Sequence, residues 1–294
     1  MYRLRLPEKR ILEIILMNAP LIYESHSHTP LCKHADGWPV DYAAVAEERG
    51  LKGLIVTCHN PMPDGFSSGV RMAESEFGRY LEIIEEARES FAGRVDVRLG
   101  LEADYFEGME SFLEDQLQSA DFNFVLGSVH PQISEWREKY WQEDLLEVQR
   151  TYFSLLAKAA ESRLFDSLAH PDLIKNFTAK AWDPLKIMPD ICRSLDRIAK
   201  TGIAMELNTS GVNKTIQEMN PMPSMLREIA KRKIPVTLGA DAHIPDRVAD
   251  GFEEALTLLL DAGFEQVSYF LNRKRYEIPI VDALASLKPR EPVS

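Results

Sequence analysis

The stretch Tyr23-Glu24-Ser25-His26-Ser27-His28-Thr29-Pro30-Leu31-Cys32-Lys33-His34 follows a short apolar run, residues 19–22, that predicts a β-strand. His26 and His28 are two residues apart, so on an extended backbone both imidazoles point to the same face. Two imidazoles at the end of a strand can bind one metal ion together, and His34 lies just beyond the next turn. A histidine near a strand end is also common as a hydrogen-bonded surface or core residue. The positions of the other histidines therefore decide between a metal site and an ordinary strand end.

The composition limits the partners that the protein can bind. The 294 residues allow one large domain or two small ones, and the 45% of hydrophobic residues are ample for a buried core. The formal net charge is -12 and no dense run of Lys or Arg occurs, so the phosphate backbone of a nucleic acid would be repelled. A small anionic substrate remains compatible with this charge, because bound metal ions supply positive charge locally.

The cysteines indicate a reducing compartment. Cys32, Cys58 and Cys192 show no C-x-x-C spacing, which argues against a disulfide framework. Cys32 and Cys58 lie close in sequence to His34 and His59. These two cysteines are therefore candidates for thiolate ligands, and the alternative is that they are small, buried and inert.

Residues 1–20 are predicted to form an N-terminal extension. Basic residues followed by the apolar run 11–16 imitate a signal peptide, but Glu13 interrupts the run and no A-x-A cleavage site follows. We interpret this segment as a short extra helix, or as upstream sequence if Met17 is the true start. No apolar run approaches the roughly 20 residues of a membrane span. We therefore expect a cytoplasmic protein without a membrane partner.

Apolar strands and amphipathic helices alternate along the rest of the chain. After the first strand, predicted strands lie at 52–57, 95–101, 122–129, 164–169, 203–207, 235–239 and 266–271. Predicted helices lie at 41–49, 74–91, 110–119, 143–163, 184–201, 223–232 and 251–262. Strands that are continuous apolar runs indicate a parallel sheet buried on both faces. One barrel-like α/β domain fits this pattern best, and an open doubly wound sheet is the alternative.

The histidines all lie at or just after the C-terminal end of a predicted strand, and the predicted helices contain none. They are His26, His28, His34, His59, His130, His170 and His243, and the carboxylates Glu102 and Asp241 occupy equivalent positions. In a parallel barrel the C-terminal ends of the strands meet on one face, where active sites are built. Clustered imidazole and carboxylate side chains of this kind indicate a metal site.

This set of potential ligands exceeds what one metal ion can bind. At four to five ligands for each ion, with one bridging carboxylate, the set suits two or three divalent ions. Imidazole combined with carboxylate suits zinc, iron or manganese, whereas a calcium site would be rich in oxygen ligands. Such ions lower the pKa of bound water and stabilise the oxygens of a phosphoryl centre, so metal-assisted hydrolysis is the implied reaction class.

The order and context of these residues resemble the nine-position motif of the polymerase and histidinol phosphatase (PHP) family. The resemblance runs from residue 23 to about residue 281. The segments R-L-G-L-E-A-D-Y (98–105), G-S-V-H (127–130) and I-P-V-T-L-G-A-D-A-H (234–243) are similar to the histidinol-phosphate phosphatase branch. The family implies a single distorted (β/α)7 TIM-like barrel, here over residues 21–294, with a trinuclear metal site.

Carried over position by position, the resemblance implies three metal sites. The first would use His26, His28, Glu102 and Asp241; the second Glu102 as a bridge, His130 and His170; the third His34, His59 and His243. Glu102, Asp241 and His243 are also expected to be catalytic. By analogy, water activated at the metals attacks phosphorus in line. Asp36 and Asp64 are candidate acids for the leaving alcohol, with a loop or capping role as the alternative for both.

Cationic side chains are expected to complete the charge balance around the substrate phosphate. The candidates are Arg71, Arg137, Lys214 and Arg247. Related phosphatases often carry an Arg-Lys pair after the N-T-S-G turn, but here Asn213 precedes Lys214. The loop after His130, residues 131–137, also departs from the pattern of the branch.

The leading hypothesis is the hydrolysis of L-histidinol phosphate in histidine biosynthesis. Another small phosphomonoester, or a phosphodiester, is the alternative within the family, and the acidic charge argues against a nuclease. An amidohydrolase would usually have a bridging lysine and a lone late aspartate, where this chain has Asp241-x-His243. A catalytically silent, metal-stabilised binding module would be expected to lack some ligand positions, and none is missing here.

Overall fold

The computed structural model describes residues 19–288 as a mixed α/β fold. Its strands are β1 (Tyr23–Glu24), β2 (Gly53–Val56), β3 (Asp96–Asp104), β4 (Phe124–Ser128), β5 (Ser167–Leu168), β6 (Ala204–Asn208), β7 (Val236–Gly239), β8 (Gln266–Leu271) and β9 (Lys274–Pro279). Its α-helices are α1 (Pro39–Glu48), α2 (Phe77–Ser90), α3 (Glu110–Leu117), α4 (Ser134–Tyr140), α5 (Leu145–Ser162), α6 (Ile174–Phe177), α7 (Pro184–Ala199), α8 (Pro223–Lys231), α9 (Phe252–Ala262) and α10 (Ile280–Ser286).

The strands form one sheet in which spatial order follows chain order from β1 to β9. The pairs from β1 to β8 are parallel, and β9 returns antiparallel to β8 as a hairpin. The ladder itself is not closed. Just beyond β1 and β7, however, Ser27 and Ala242 form a parallel bridge, in which His28 N donates to Ala242 O at 2.9 Å and Ala242 N donates to His26 O at 3.0 Å. The first and seventh strands therefore meet at their C-terminal ends, as a barrel requires.

The helices pack an apolar face on the outside of the sheet. In α5, Asp144 caps the N-terminus by accepting from Leu146 N at 2.9 Å, and the face of the helix that carries Tyr152 and Leu156 is buried. Strands β2, β4, β6 and β7 are buried at every residue, because helices cover one face and the interior of the sheet covers the other. This arrangement explains why the strands are continuous apolar runs rather than alternating patterns.

The predicted alternation of strands and helices is confirmed, with differences at four places. Helix α6 was not predicted, because it spans only four residues. Strand β3 continues to Asp104, so Glu102 lies within the strand rather than at its end. Helix α4 was not predicted because its short sequence buries a single residue, Trp136. The hairpin strand β9 and helix α10 were also not predicted, since β9 is polar and largely exposed.

The predicted N-terminal extension, residues 1–20, lies outside the described residues except for its last two positions. Within residues 19–288, no helix combines the length and the apolar character that crossing a membrane requires.

A glycine in β2 allows the first two strands to pair. A Cβ atom at Gly53 would lie 2.1 Å from Cε1 of Tyr23, the residue paired with Gly53, and 2.6 Å from Asp96 O. We expect Gly53→Ala to lower the free energy of unfolding by about 1–3 kcal/mol, because overpacking forces neighbouring groups to move. Urea unfolding measures this change as a lower midpoint.

Gly78, in the exposed first turn of α2, is the matched control, because no heavy atom lies within 4 Å of a Cβ built there. Gly78→Ala should leave stability unchanged or raise it by up to about 1 kcal/mol. Equal midpoints for Gly53→Ala and the wild type would contradict the close packing of Tyr23 on β2.

Candidate metal centre

The carboxylate of Glu102 lies at the middle of a ring of imidazoles and is fully buried. Five histidines from four different loops and strand ends approach its two oxygens. The distances are 2.9 Å to His59 Nδ1, 3.0 Å to His170 Nε2, 3.4 Å to His26 Nε2 and His130 Nε2, and 3.6 Å to His28 Nε2. A carboxylate with imidazoles around both of its oxygens has the geometry of a bridging ligand.

Asp241 provides a second carboxylate that faces the H-x-H pair, His26 and His28. Its Oδ1 lies 3.2 Å from His28 Nε2 and 3.6 Å from His26 Nε2. The ring of His243 stacks on that of His28 with 4.0 Å between centroids, and the ring of His34 lies 4.7 Å from that of His243. The structure thus brings all nine predicted ligand residues together at one end of the sheet. Their division among three metal ions stays a prediction.

The positions of these side chains follow from the ends of the strands. The H-x-H pair follows β1, His130 follows β4, and His170 and Asp241 follow β5 and β7. His170 and Asp241 have positive φ angles of 28° and 49°, a conformation that non-glycine residues rarely adopt. Such backbone positions cost of order 1–3 kcal/mol each and cluster at functional sites. Two of the predicted ligands are therefore held in a strained backbone that aims them at the centre.

The pKa shifts of Glu102, His59 and His243 suit metal binding, whereas the neighbouring carboxylates raise the pKa of His28 to about 9 and that of His130 to about 10. Burial alone would raise the pKa of Glu102, but the surrounding imidazoles, His59 foremost, hold it well below its ordinary value. Burial lowers the pKa of His59 to about 4 and, together with the neighbouring His28, lowers the pKa of His243 to about 3. Near neutral pH the carboxylate is therefore ionised and these two imidazoles keep a lone pair, as metal ligands must.

Several buried atoms that face the centre have no hydrogen-bond partner among residues 19–288. They are His26 Nε2, His28 Nε2, His59 Nδ1, His243 Nε2 and Glu102 Oε2. An unsatisfied buried polar atom costs about 1–3 kcal/mol, so five in one place indicate an additional binding partner. The ligand atoms of His26, His28 and Glu102 lie within 4.8 Å of one another, as do those of His59, Glu102 and His130. This mixed nitrogen and oxygen donor set fits divalent zinc, iron or manganese.

Two further carboxylates orient histidines that surround Glu102, and the sequence analysis did not predict them. Asp104 Oδ1 lies 2.6 Å from His130 Nδ1, and Glu206 Oε1 lies 2.7 Å from His26 Nδ1. Both are essentially inaccessible to solvent. A signal was present for Glu206, which is an acidic residue inside the apolar run 203–207, where a charge needs a partner. Asp104 gave no such signal, because it ends a strand that also contains Asp96, Arg98 and Glu102. By holding Nδ1, each carboxylate directs Nε2 of its histidine toward the centre.

Arg71 lies beside the centre but is engaged with the protein. It is 2% exposed, and its Nη1 donates to Asn60 O at 2.9 Å while its Nη2 donates to Asp104 Oδ2 at 2.5 Å. The guanidinium thus stabilises the carboxylate that orients His130. Its role as a phosphate contact stays a prediction.

The other cations and candidate acids have distinct environments. Lys214 Nζ lies 3.4 Å from Asp241 Oδ2, which places Lys214 at the edge of the centre. The guanidinium of Arg247 pairs with Asp250 at 2.9 Å. It also donates to the amide oxygen of Asn213 when that amide is turned toward Arg247.

The remaining candidates have other surroundings. The guanidinium of Arg137 stacks over the ring of Trp141, 4.7 Å from its centroid. The candidate acids Asp36 and Asp64 are exposed.

A cavity of about 300 Å³ opens directly onto the centre. Its inner wall carries His34, His59, Arg71 and His130, and its rim is formed by two loops that contribute Ser67, Gly69, Val70, Gln132, Ile133 and Ser134. Glu135 joins the two loops, since its carboxylate accepts from Ser67 N and from Ser67 Oγ, both at 2.7 Å. The volume lies at the lower end of the range for small-molecule sites.

Comparison with solved structures shows the same architecture. A histidinol phosphate phosphatase from Lactococcus lactis subsp. lactis, solved in complex with zinc, L-histidinol and phosphate, superposes with a TM-score of 0.75 at 23% identity. The match covers 87% of this chain and 98% of that one. The predicted barrel-like α/β fold is therefore confirmed.

Sequence comparison places the chain among phosphatases. A protein of Deinococcus radiodurans named "probable histidinol-phosphatase" is 40% identical over 253 residues, which cover 84% of this chain and 95% of the relative. The histidinol-phosphatase of Bacillus subtilis is 24% identical over 267 residues, covering 79% of this chain and 97% of the relative. The model of the PHP domain matches residues 24–210, more than half of the chain. The predicted enzyme class, a phosphatase, is confirmed, and the chain belongs to the PHP domain family.

Proposed function

We propose that the protein is a metal-dependent phosphomonoesterase that hydrolyses L-histidinol phosphate to L-histidinol and phosphate. The observation that carries this proposal is the convergence of seven imidazoles, Glu102 and Asp241 beside a cavity sized for a small molecule. The substrate is suggested by the relative that is 40% identical over nearly its whole length and is named for this activity.

The nine ligand residues would hold two or three divalent ions in the sets that the family motif implies, with Glu102 as the bridge. When bound, these ions would lower the pKa of water and offset the negative charge of the phosphate. The zinc in the Lactococcus lactis complex is one such ion, and iron and manganese suit the same donors.

The protein's own contribution begins with orientation of the ligands. Glu206 Oε1 holds His26 Nδ1, while Glu206 Oε2 accepts from His170 N at 2.8 Å and from Asn208 Nδ2 at 3.0 Å. One carboxylate thus supports both a side chain just after the first strand and the strained backbone after the fifth. Asp104 supports His130 in the same way, with Arg71 and Ser128 as its own donors.

Lys214 is the cation best placed to contact a phosphate oxygen. Its Nζ is 3.4 Å from Asp241 and its side chain remains partly exposed, so an entering anion can reach it. Arg247 is close by through its contact with Asn213, the position where related phosphatases often carry arginine. We infer that Arg247 supplies from a neighbouring loop the positive charge that is absent at residue 213.

The cavity favours a small monoester over a polymer. About 300 Å³ accommodates an amino-alcohol phosphate, and the formal net charge of -12 opposes the approach of a nucleic acid. A different small phosphomonoester, or a short phosphodiester, would fit the same centre. Residues 132–134 of the changed segment 131–137 line the rim of the cavity. These residues would determine which small ester the protein prefers.

Phosphate release from L-histidinol phosphate by metal-reconstituted protein tests the proposal. We expect kcat/KM of about 10⁴ M⁻¹s⁻¹ or more, with activity lost after chelation and in His130→Ala. Other phosphomonoesters and a phosphodiester are assayed in parallel. A higher kcat/KM on another ester would refute L-histidinol phosphate as the substrate but would still support a phosphatase. If protein of full metal content hydrolysed no ester, both the substrate and the phosphatase activity would be refuted.

Glu206→Gln tests the orientation of His26. The amide keeps the size of the side chain but loses the charge that fixes Nδ1 as a donor, so we expect metal affinity to fall about 10–100-fold. Competition with a fluorescent chelator measures this affinity without turnover. Glu89→Gln, an exposed residue of α2, is the control with the same change of charge. Equal affinity in Glu206→Gln and the wild type would show that His26 needs no such support.

Lys214→Gln tests the phosphate contact. A charged hydrogen bond to a bound anion contributes about 1.5–3 kcal/mol, so kcat/KM should fall roughly 10–100-fold. Inhibition by inorganic phosphate should weaken in parallel, while metal content stays unchanged. Lys200→Gln, at an exposed position after α7, carries the same change of charge and should behave as the wild type. Unchanged inhibition by phosphate in Lys214→Gln would contradict a phosphate contact by Lys214. Arg247 would then be the next candidate for this contact.

A further inference from the structure

Two cysteines lie against the ring of imidazoles, and the family motif assigns them no role. Cys32 and Cys58 are both 0% exposed. Their sulfurs and a ring nitrogen of His28 lie within 4.8 Å of one another. The sulfur of Cys32 also lies within 4.8 Å of the ligand atoms of His34 and His243, which in turn lie within 4.8 Å of each other. A thiol is therefore present where the predicted third metal ion would be held.

The backbone directs Cys32 inward and His34 toward the same space. Residues Pro30–Cys32 form a single 3₁₀ turn that ends at Lys33 with a φ of 70°, and this reversal brings His34 back over Cys32. His34 Nδ1 lies 2.7 Å from Cys32 O, and His243 Nδ1 lies 3.0 Å from Asp241 O. With Nδ1 of each ring bound to the backbone, Nε2 of each ring is left as the metal-binding nitrogen. Nε2 of His243 has no hydrogen-bond partner within the described part of the chain.

The two cysteines differ in how their hydrogen-bonding capacity is met. Cys58 Sγ accepts from Thr29 Oγ1 at 3.2 Å and donates to Thr29 O at 3.7 Å, which satisfies it as a neutral thiol. The sulfur of Cys32 lies beside that of Cys58 and close to ring nitrogens of His28, His34 and His243. Thiolate and imidazole together are the preferred donors for tetrahedral zinc, and Cys-His combinations recur in zinc sites.

We propose that Cys32 is a thiolate ligand of a metal ion held with His34 and His243. His34 is exposed and lines the cavity, so this ion would face the substrate on one side and the buried sulfur on the other. A soft sulfur donor favours zinc over manganese at this position, whereas the sites around Glu102 have only nitrogen and oxygen donors. The inference rests on the proposed metal centre and is independent of which ester is hydrolysed.

Cobalt(II) substitution gives a direct test that needs no turnover. Cobalt bound to a thiolate absorbs in the near ultraviolet through sulfur-to-metal charge transfer, and cobalt bound only to nitrogen and oxygen does not. We expect this band in the wild-type protein and in Cys192→Ser, since Cys192 lies in α7, away from the centre. Cys58→Ser should keep the band, and Cys32→Ser should lose it together with one bound ion. Persistence of the band in Cys32→Ser, or its loss in Cys58→Ser alone, would overturn the proposal.

Zinc-edge X-ray absorption of the wild-type protein provides a second measurement that does not depend on a variant folding correctly. A sulfur neighbour at about 2.3 Å from zinc supports the proposal, and a shell of nitrogen and oxygen alone refutes it. Both readouts are separate from catalysis. Protein that shows the sulfur signal without hydrolysing L-histidinol phosphate would support the Cys32 ligand and refute the proposed substrate. Active protein without the signal would refute the Cys32 ligand and support the proposed substrate.

Discussion

The buried carboxylate of Glu102 faces five imidazoles, and this contact constrains the rest of the molecule. A carboxylate removed from water is strongly unfavourable unless opposite charge or hydrogen-bond donors surround it. The imidazoles that surround it come from loops separated by more than a hundred residues, from His26 to His170. A sheet whose parallel strands end at one face brings such residues together. The bridge between Ser27 and Ala242 completes that face by joining the ends of the first and seventh strands.

A second layer of buried charge supports the first. Asp104 and Glu206 each bind the far nitrogen of a ligand histidine, and Arg71 in turn binds Asp104. Fixing the tautomer and the ring direction in this way prepares the site before a metal ion or substrate arrives. The strained backbone at His170 and Asp241 has the same effect, because those positions persist only where the surrounding structure determines them. These buried contacts and backbone positions thus fix the nitrogen and oxygen atoms that face the centre.

The departures expected from the resemblance to the family lie around the centre rather than in it. All nine motif positions are occupied, whereas Asn213 and the loop 131–137 differ from the pattern of the histidinol-phosphate phosphatase branch. Asn213, with its amide turned toward Arg247, contacts a cation that comes from another loop. Most of the predicted metal ligands lie at strand ends, whereas the predicted phosphate contacts Lys214 and Arg247 lie outside the strands and helices of the sheet layers, where sequence varies more readily.

The sequence by itself determined the alternation of strands and helices and pointed to the nine residues that the structure brings together. Both depend on local patterns, namely apolar runs of strand length and histidines placed just after them. Only the tertiary structure decided that Asp104 and Glu206 orient His130 and His26, and that Arg71 is engaged with Asp104. It also decided that Cys32 lies with His34 and His243, and that β9 closes a hairpin with β8. These contacts join residues that are distant in the chain, or depend on the direction of a side chain within a turn, and no local pattern encodes either.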